Sequence, residues 1–164
     1  MPESTARPAA APGTTVDPYR DYNFKLVIDG VTEGHFTQVA ELRARVERLS
    51  YREAGNNAVV RAIPGKVTYG PVVLRYGLTS SRAMWDWLMS AVDSRNFRRS
   101  VYIVVLDPSG SQEVMRWHLL NAWPEQWEAP ALDALSGGIA IETLVLAHDG
   151  IVREEGGGGA TAAP

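Results

Sequence analysis

The sequence predicts a mainly β protein, an antiparallel β-barrel or sandwich of about six or seven strands with one flanking α-helix. Three observations predict it. Most of the patterned chain alternates apolar and polar residues with period 2. Helical spacing is confined to one stretch, reached from the strand VTYGPVVLRYGLTSS and reading RAMWDWLMSAV to Val92. Runs of strand follow one another across turn signals without the strand–helix–strand rhythm that a parallel sheet requires. A lone helix in such a chain packs on a sheet, because neither element buries its apolar face alone.

The 164 residues suffice for one domain with a substantial core. Residues 1–17 are rich in Pro, Ala and Thr and read as a disordered N-terminal arm, and 154–164, EEGGGGATAAP, as a flexible tail. The folded body is expected over 18–153. A net charge of −3 carries no basic nucleic-acid footprint. The chain has no cysteine, which excludes disulfides, thiolate metal sites and thiol nucleophiles. No apolar run approaches the roughly 20 residues of a membrane-spanning helix, and the N-terminus lacks the apolar core of a secretory signal.

The body opens with Tyr22 to Asp29. Tyr22, Phe24, Leu26 and Ile28 alternate with polar neighbours, which predicts a strand closed by the Asp29-Gly30 turn. The chain resumes at His35-Phe36 and runs to Leu49. There Leu42, Ala44 and Val46 share one face and Arg43, Arg45 and Glu47 the other, so alternation favours strand over helix. The charged face is either plainly solvated or the lining of a water-filled channel in an assembly.

Tyr51 to Asn57, YREAGNN, reads as a loop, and Ile63-Pro64-Gly65 as a second turn. Val67 to Leu78 is a strand interrupted at Gly70-Pro71, which places Pro71 at an edge or bulge. Thr79, Ser80 and Ser81 offer an N-cap oxygen. Trp85, Leu88, Met89 and Val92 form the expected core stripe of the helix. Trp87 lies off its centre, to cover an edge or meet another subunit.

Arg95, Arg98 and Arg99 sit in a polar connection. Val101 to Leu106 is a strand buried on both faces, closed by Asp107-Pro108-Ser109-Gly110. Val114 to Trp123 alternates, with Met115, Trp117, Leu119 and Asn121 on one face, and Trp123 to Trp127 reads as a turn. Ile139 to Ala147 is the longest apolar strand. Glu142 within it needs a partner if buried, with Arg116 and Arg75 as candidates.

Reactive chemistry is sparse. His35, His118 and His148 form no HExxH or close ligand pair, and there is no P-loop, GxGxxG or GxSxG motif. The pattern favours a non-enzyme with no catalytic residue, metal or cofactor.

Six segments in order carry a resemblance: DPYRDYNFKLVIDGV from Asp17, LSYREAGNN from Leu49, IPGKVTYGPVVLRYGLT from Ile63, MWDWL from Met84, RWHLLNAWPEQW from Arg116 and IAIETLVLAHDG from Ile139. Together they resemble the tube proteins of contractile-tail phages, and especially the inner-tube subunits of phage-tail-like contractile injection systems. The resemblance covers nearly the whole body and departs at Lys66 to Pro71, where relatives usually carry a more polar run. It implies a structural subunit of hexameric rings that stack into a hollow tube within a contractile sheath.

The implied partners are further copies of the chain, the sheath protein, baseplate and spike proteins, and cargo in the lumen. No cofactor, nucleic-acid specificity or membrane anchor is implied, and assembly belongs to the bacterial cytoplasm without a signal peptide. A tube-initiating paralogue at the baseplate is the alternative. A carbohydrate- or effector-binding β-sandwich, with Trp123 and Trp127 as its aromatic platform, is the less favoured one. Carried onto this chain, Tyr51, Arg52, Glu53, Asn56 and Asn57 are the candidate subunit and ring contacts, joined by Asp86 and Trp87 on the helix. Arg43, Arg45 and Glu47 are the candidate lumen face. Glu53→Lys is expected to impair tube assembly more than monomer folding, which comparing pelleted tubes with the melting curve of the same variant checks.

Overall fold

The computed structural model describes residues 21, 23–29, 31–33, 36–52, 60–135 and 137–156. Among them are ten strands and one helix: β1 (Phe24–Ile28), β2 (Val31–Glu33), β3 (Phe36–Ala40), β4 (Ala44–Arg52), β5 (Val60–Tyr69), β6 (Val72–Gly77), α1 (Ala83–Val92), β7 (Arg99–Leu106), β8 (Glu113–Glu128), β9 (Ile141–Ala147) and β10 (Gly150–Glu155). Ten replaces the expected six or seven for three reasons. Two expected strands are each split in two, at Glu41-Leu42-Arg43 and at Gly70-Pro71. The short β2 follows the Asp29-Gly30 turn. The expected loose tail begins as β10, so the folded body runs past Arg153 to Glu155.

All pairings are antiparallel. The main path runs β2-β1-β7-β8-β9-β6-β3, with β10 also on β8, and β4-β5 forms a separate two-stranded ribbon. The ends of the path, β2 and β3, do not pair with each other, so the body is an open sandwich and not a closed barrel.

The long strand β8 makes the sandwich. Its first half pairs with β7 and β10, its second half with β9. The ladder along one edge keeps one register, Trp123 opposite Ala147 and Leu120 opposite Gly150, across the corner at His148-Asp149. Asn121, facing that corner, has φ +51, a left-handed conformation that Asn tolerates better than most residues. The bend reverses the alternation: Met115 and Leu119 are buried before it, Ala122 and Pro124 after it. Asn121 itself is exposed, although expected on the same face as Met115 and Leu119, which are buried. Trp123 to Trp127 is strand, not turn, because the ladder to β9 carries through Pro124, with a register shift between Pro124 and Gln126.

The core lies between the two sheets. Leu26, Ile28, Val101, Ile103 and Leu119 face Val72, Leu74, Leu144 and Leu146, and Met84 and Trp87 of α1 pack on the same cluster. Trp87 is 0% exposed and its indole Nε1 donates to the Phe97 carbonyl at 2.6 Å. This corrects the expected stripe: Trp85 and Val92 are exposed, while Met84 and Trp87 are buried. Only Asp86 and Ser90 interrupt the apolar run of α1, so more than one apolar stripe satisfies its helical spacing. The indole hydrogen bond and the sheet beneath select the Trp87 side. The N-cap position is Arg82, with no side-chain cap. Ser81 Oγ instead accepts from the Ala83 N–H at 3.5 Å.

Glu142 finds neither expected arginine. Arg75 donates to Gln38 and Arg116 to Glu154. Glu142 sits opposite Tyr76 in register. Burial, reinforced by the Glu142 carboxylate, pushes the Tyr76 phenol above its ordinary range. The Asp107 turn forms as expected. Its carboxylate accepts from Ser109 Oγ and from the N–H groups of Ser111 and Gln112, which holds it below the usual carboxylate value.

On the outer face of β7 and β8, His118 stacks on Tyr102 with centroids 4.3 Å apart, and its Nε2 has no hydrogen-bond partner. Burial holds its proton affinity below the ordinary imidazole value, Glu154 opposing and Arg116 adding to the shift. The folded chain therefore binds fewer protons than the unfolded one, whose histidine titrates near about 6.5. Stability from this site is complete above that value and is lost as pH falls below it. His118→Phe, which keeps the stack and removes the titration, is expected to flatten the fall in urea midpoint between about pH 7 and about pH 5. Parallel wild-type and variant pH profiles would count against this account.

Candidate assembly surface

The ribbon β4-β5 is built from residues that suit an extended, half-buried surface, yet every described residue of β4 is exposed. Its pairing runs from Ala44–Tyr69 to Arg52–Val60, with a shift between Val46 and Arg48. That shift sets two residues of β5, Gly65 and Lys66, opposite the single Glu47, a bulge in β5. Pro64 thus lies within a strand and not in the expected turn, at a bulge in a two-stranded ribbon where a missing N–H is tolerated. The close approach of Leu49 explains Gly65: a Cβ there would lie 2.9 Å from Leu49 Cγ.

Side chains alternate across the ribbon, so both faces carry apolar groups. Val46 and Val67 pair on one face near the root, and Leu49 and Ile63 on the other farther out. Val46 is 54% exposed and Tyr51 51%. A two-stranded hairpin is marginal on its own in water, and its exposed apolar groups on both faces make the ribbon a candidate contact surface.

Tyr51 and Arg52, expected in a loop, are strand residues near the outer end of β4. Glu53, Asn56 and Asn57 lie outside the described residues. Arg45 and Glu47 alternate on the same ribbon face as Leu49 and Tyr51, so this face is mixed and not a purely charged one. Arg43 precedes β4, pairs with Glu41, and its carbonyl accepts the Gly70 N–H at 2.9 Å. Asp86 is on the exposed side of α1 and faces Arg82. Trp87 is buried within its own chain, so it is unavailable to a neighbour. Of the expected set, Arg45, Glu47, Tyr51 and Arg52 lie on the ribbon, Arg43 just before it and Asp86 apart on α1, while Trp87 is buried.

The sequence reading missed Val46, Leu49, Val60, Ile63 and Val67 as surface groups. Their apolar alternation was visible, but alternation alone names a face and not whether its own chain covers it. A second exposed apolar set, Leu132, Leu135 and Ile139, lies on the connection from β8 to β9. A groove of about 1140 Å³ opens beside β3, lined by Phe24, Phe36, Val39, Ile103 and Trp117 among others. Trp123 and Trp127 are no open platform: each is half-buried, edge-on to Phe97 and Trp85 respectively. Among the described residues no three His, Asp or Glu side chains converge as a metal site, and no helix is long and apolar enough to cross a membrane.

A family model described as T4-like virus tail tube protein gp19 matches residues 20–152. No curated protein matches the chain by sequence. Among solved structures it is similar to the anti-feeding prophage cap (AFP tube terminating cap), with TM-score 0.77 at 22% identity over 87% of this chain and 94% of that one. A chain of the sheath-tube complex of the extracellular contractile injection system PVC, in its extended state, gives TM-score 0.72 at 22% identity over 84% and 92%. One from the anti-feeding prophage baseplate gives 0.70 at 21% over 86% and 98%.

Proposed function

The chain belongs to the family of the T4-like virus tail tube protein gp19, and from that premise we propose that it is a subunit of the hollow inner tube of a contractile injection system or phage tail. Hexameric rings of the chain stack into the tube, a contractile sheath surrounds it, and contraction drives it with its cargo through a target envelope. Baseplate and spike proteins nucleate it. The chain is made and assembled in the bacterial cytoplasm and acts inside the particle, as a structural component and not as a catalyst.

The observation that carries this reading is the ribbon. A two-faced hairpin with exposed apolar groups that the described residues leave uncovered is stabilised when neighbouring copies bury it. A ribbon that docks on a different patch of the next copy makes a head-to-tail contact, and such contacts close into rings. Tyr51 and Arg52, with Glu53, Asn56 and Asn57 beyond them, would contact neighbouring subunits and the next ring. Arg45 and Glu47 would line the lumen wherever their face turns to the axis.

Negative-stain microscopy of concentrated protein, with sedimentation, tests the reading. Rings or tubes are the expected result. A strictly monomeric mass at high concentration, even with a baseplate nucleus added, would overturn it. The second reading, a tube-initiating subunit at the baseplate, draws support from the similarity to the baseplate chain. Copy number per particle separates the two: many stacked rings for the main tube, one or two for an initiator.

A further inference from the structure

We infer that His148 is the residue that positions the ribbon on the body, its imidazole bridging the Gly70 carbonyl at the ribbon root and the Gly150 carbonyl of β10. The ribbon joins the sandwich through two chain crossings, Glu41-Leu42-Arg43 before β4 and Gly70-Pro71 after β5. The Gly70 N–H to Arg43 carbonyl bond ties these crossings to each other, not to the body. Leu42 packs the first crossing on the core, and the second crossing is tied to the body by the imidazole of His148, whose Nε2 lies 2.9 Å from the Gly70 carbonyl oxygen.

His148 is itself anchored. Its Nδ1 lies 3.1 Å from the Gly150 carbonyl. The next residue, Asp149, donates its N–H to the Leu120 carbonyl at 2.9 Å. The Asp149 carboxylate accepts from Asn121 Nδ2 and Arg98 Nη1, each at 3.0 Å. The histidine therefore stands on the fixed corner of the β8–β9–β10 ladder and reaches across to the first carbonyl beyond β5. The Tyr69 ring, the last residue of the ribbon, lies 5.8 Å from the imidazole.

Both partners of the ring are carbonyl oxygens, which only accept. A neutral imidazole carries one N–H and can donate to one of them, whereas the imidazolium donates to both. The surrounding acids are already matched: Asp149 with Arg98 on the side of the α1–β7 connection, and Glu41 with Arg43 on the β3–β4 connection. From β5 the facing titratable group is the Tyr69 phenol. The Nε2 contact with the Gly70 carbonyl thus fixes the joint, and with it the direction of a lever formed by the ribbon. The consequence for assembly rests on the ribbon being the assembly element, as proposed above; the joint itself does not.

The test uses the absence of cysteine. Spin labels on Arg48→Cys in the ribbon and Glu125→Cys in the body report their distance by double electron–electron resonance on the full chain, kept dilute enough to be monomeric. The distribution is expected to be narrow for the wild-type chain and at least twofold broader for H148A. H148Q, which keeps an amide donor for the Gly70 carbonyl, is expected to restore an intermediate width, and it stands in should H148A fail to fold.

In pelleting assays H148A is expected to need roughly tenfold more protein to form tubes, a step of about 1.4 kcal/mol. An H148A or H148Q distribution that matches wild type overturns the inference. Absence of tubes from wild type, with the distances behaving as expected, overturns the tube reading and leaves the joint standing.

Discussion

Trp87→Ala is expected to lower folding stability by about 3–5 kcal/mol, the range for removing a buried aromatic side chain. The indole is fully buried in the core cluster, so its loss leaves a cavity that the remaining core side chains can fill only in part. It also leaves the Phe97 carbonyl without its donor. Trp87→Phe separates the two effects. It keeps most of the apolar volume and loses the N–H, and is expected to cost about 1–3 kcal/mol. Trp85→Ala, at the more exposed position two residues earlier, is expected to cost less than Trp87→Ala. Urea midpoints of the three variants check the order. Equal losses at Trp85 and Trp87 would contradict the observed rotation of the helix.

Val46→Asp and Tyr51→Asp, one on each face of the ribbon, are expected to block assembly while leaving the monomer folded. Both side chains are about half exposed in the single chain, so a change of folding stability of within about 0.5 kcal/mol is expected. In a ring each would lose an apolar group buried against a neighbour, about 1.5–3 kcal/mol. That corresponds to roughly a 10- to 100-fold rise in the concentration needed to assemble. Analytical ultracentrifugation against concentration, beside thermal melts, measures both. Rings formed by either variant at the wild-type concentration would take that face of the ribbon out of the interface.

The fold class was legible because burial on one side of a sheet writes a period of 2 into the sequence. Leu26 and Ile28 of β1, Val101 and Ile103 of β7, and Leu144 and Leu146 of β9 all read as core and are core. The family was legible for a different reason: the order of the segments from Asp17 to Gly150 is specific where any one of them is not. The joints were misread where a turn residue sits inside a strand. Pro64 and Pro124 mark a turn by local chemistry, and only pairing across to β4 and β9 shows them to lie within ladders.

The candidate site divides in the same way. Alternation in Ala44 to Leu49 predicted a strand, and the strand is there. That no second layer among the described residues covers it follows from where β4 and β5 go after Glu41 and before Pro71, which no local pattern records. Trp85 and Trp87 show the limit within a single helix. In a helix of ten residues broken by only two polar ones, more than one apolar stripe satisfies the spacing, so the sequence determined that a tryptophan would be buried. Which one was decided by the tertiary structure, through the carbonyl of Phe97 that only the folded chain brings within reach of an indole N–H.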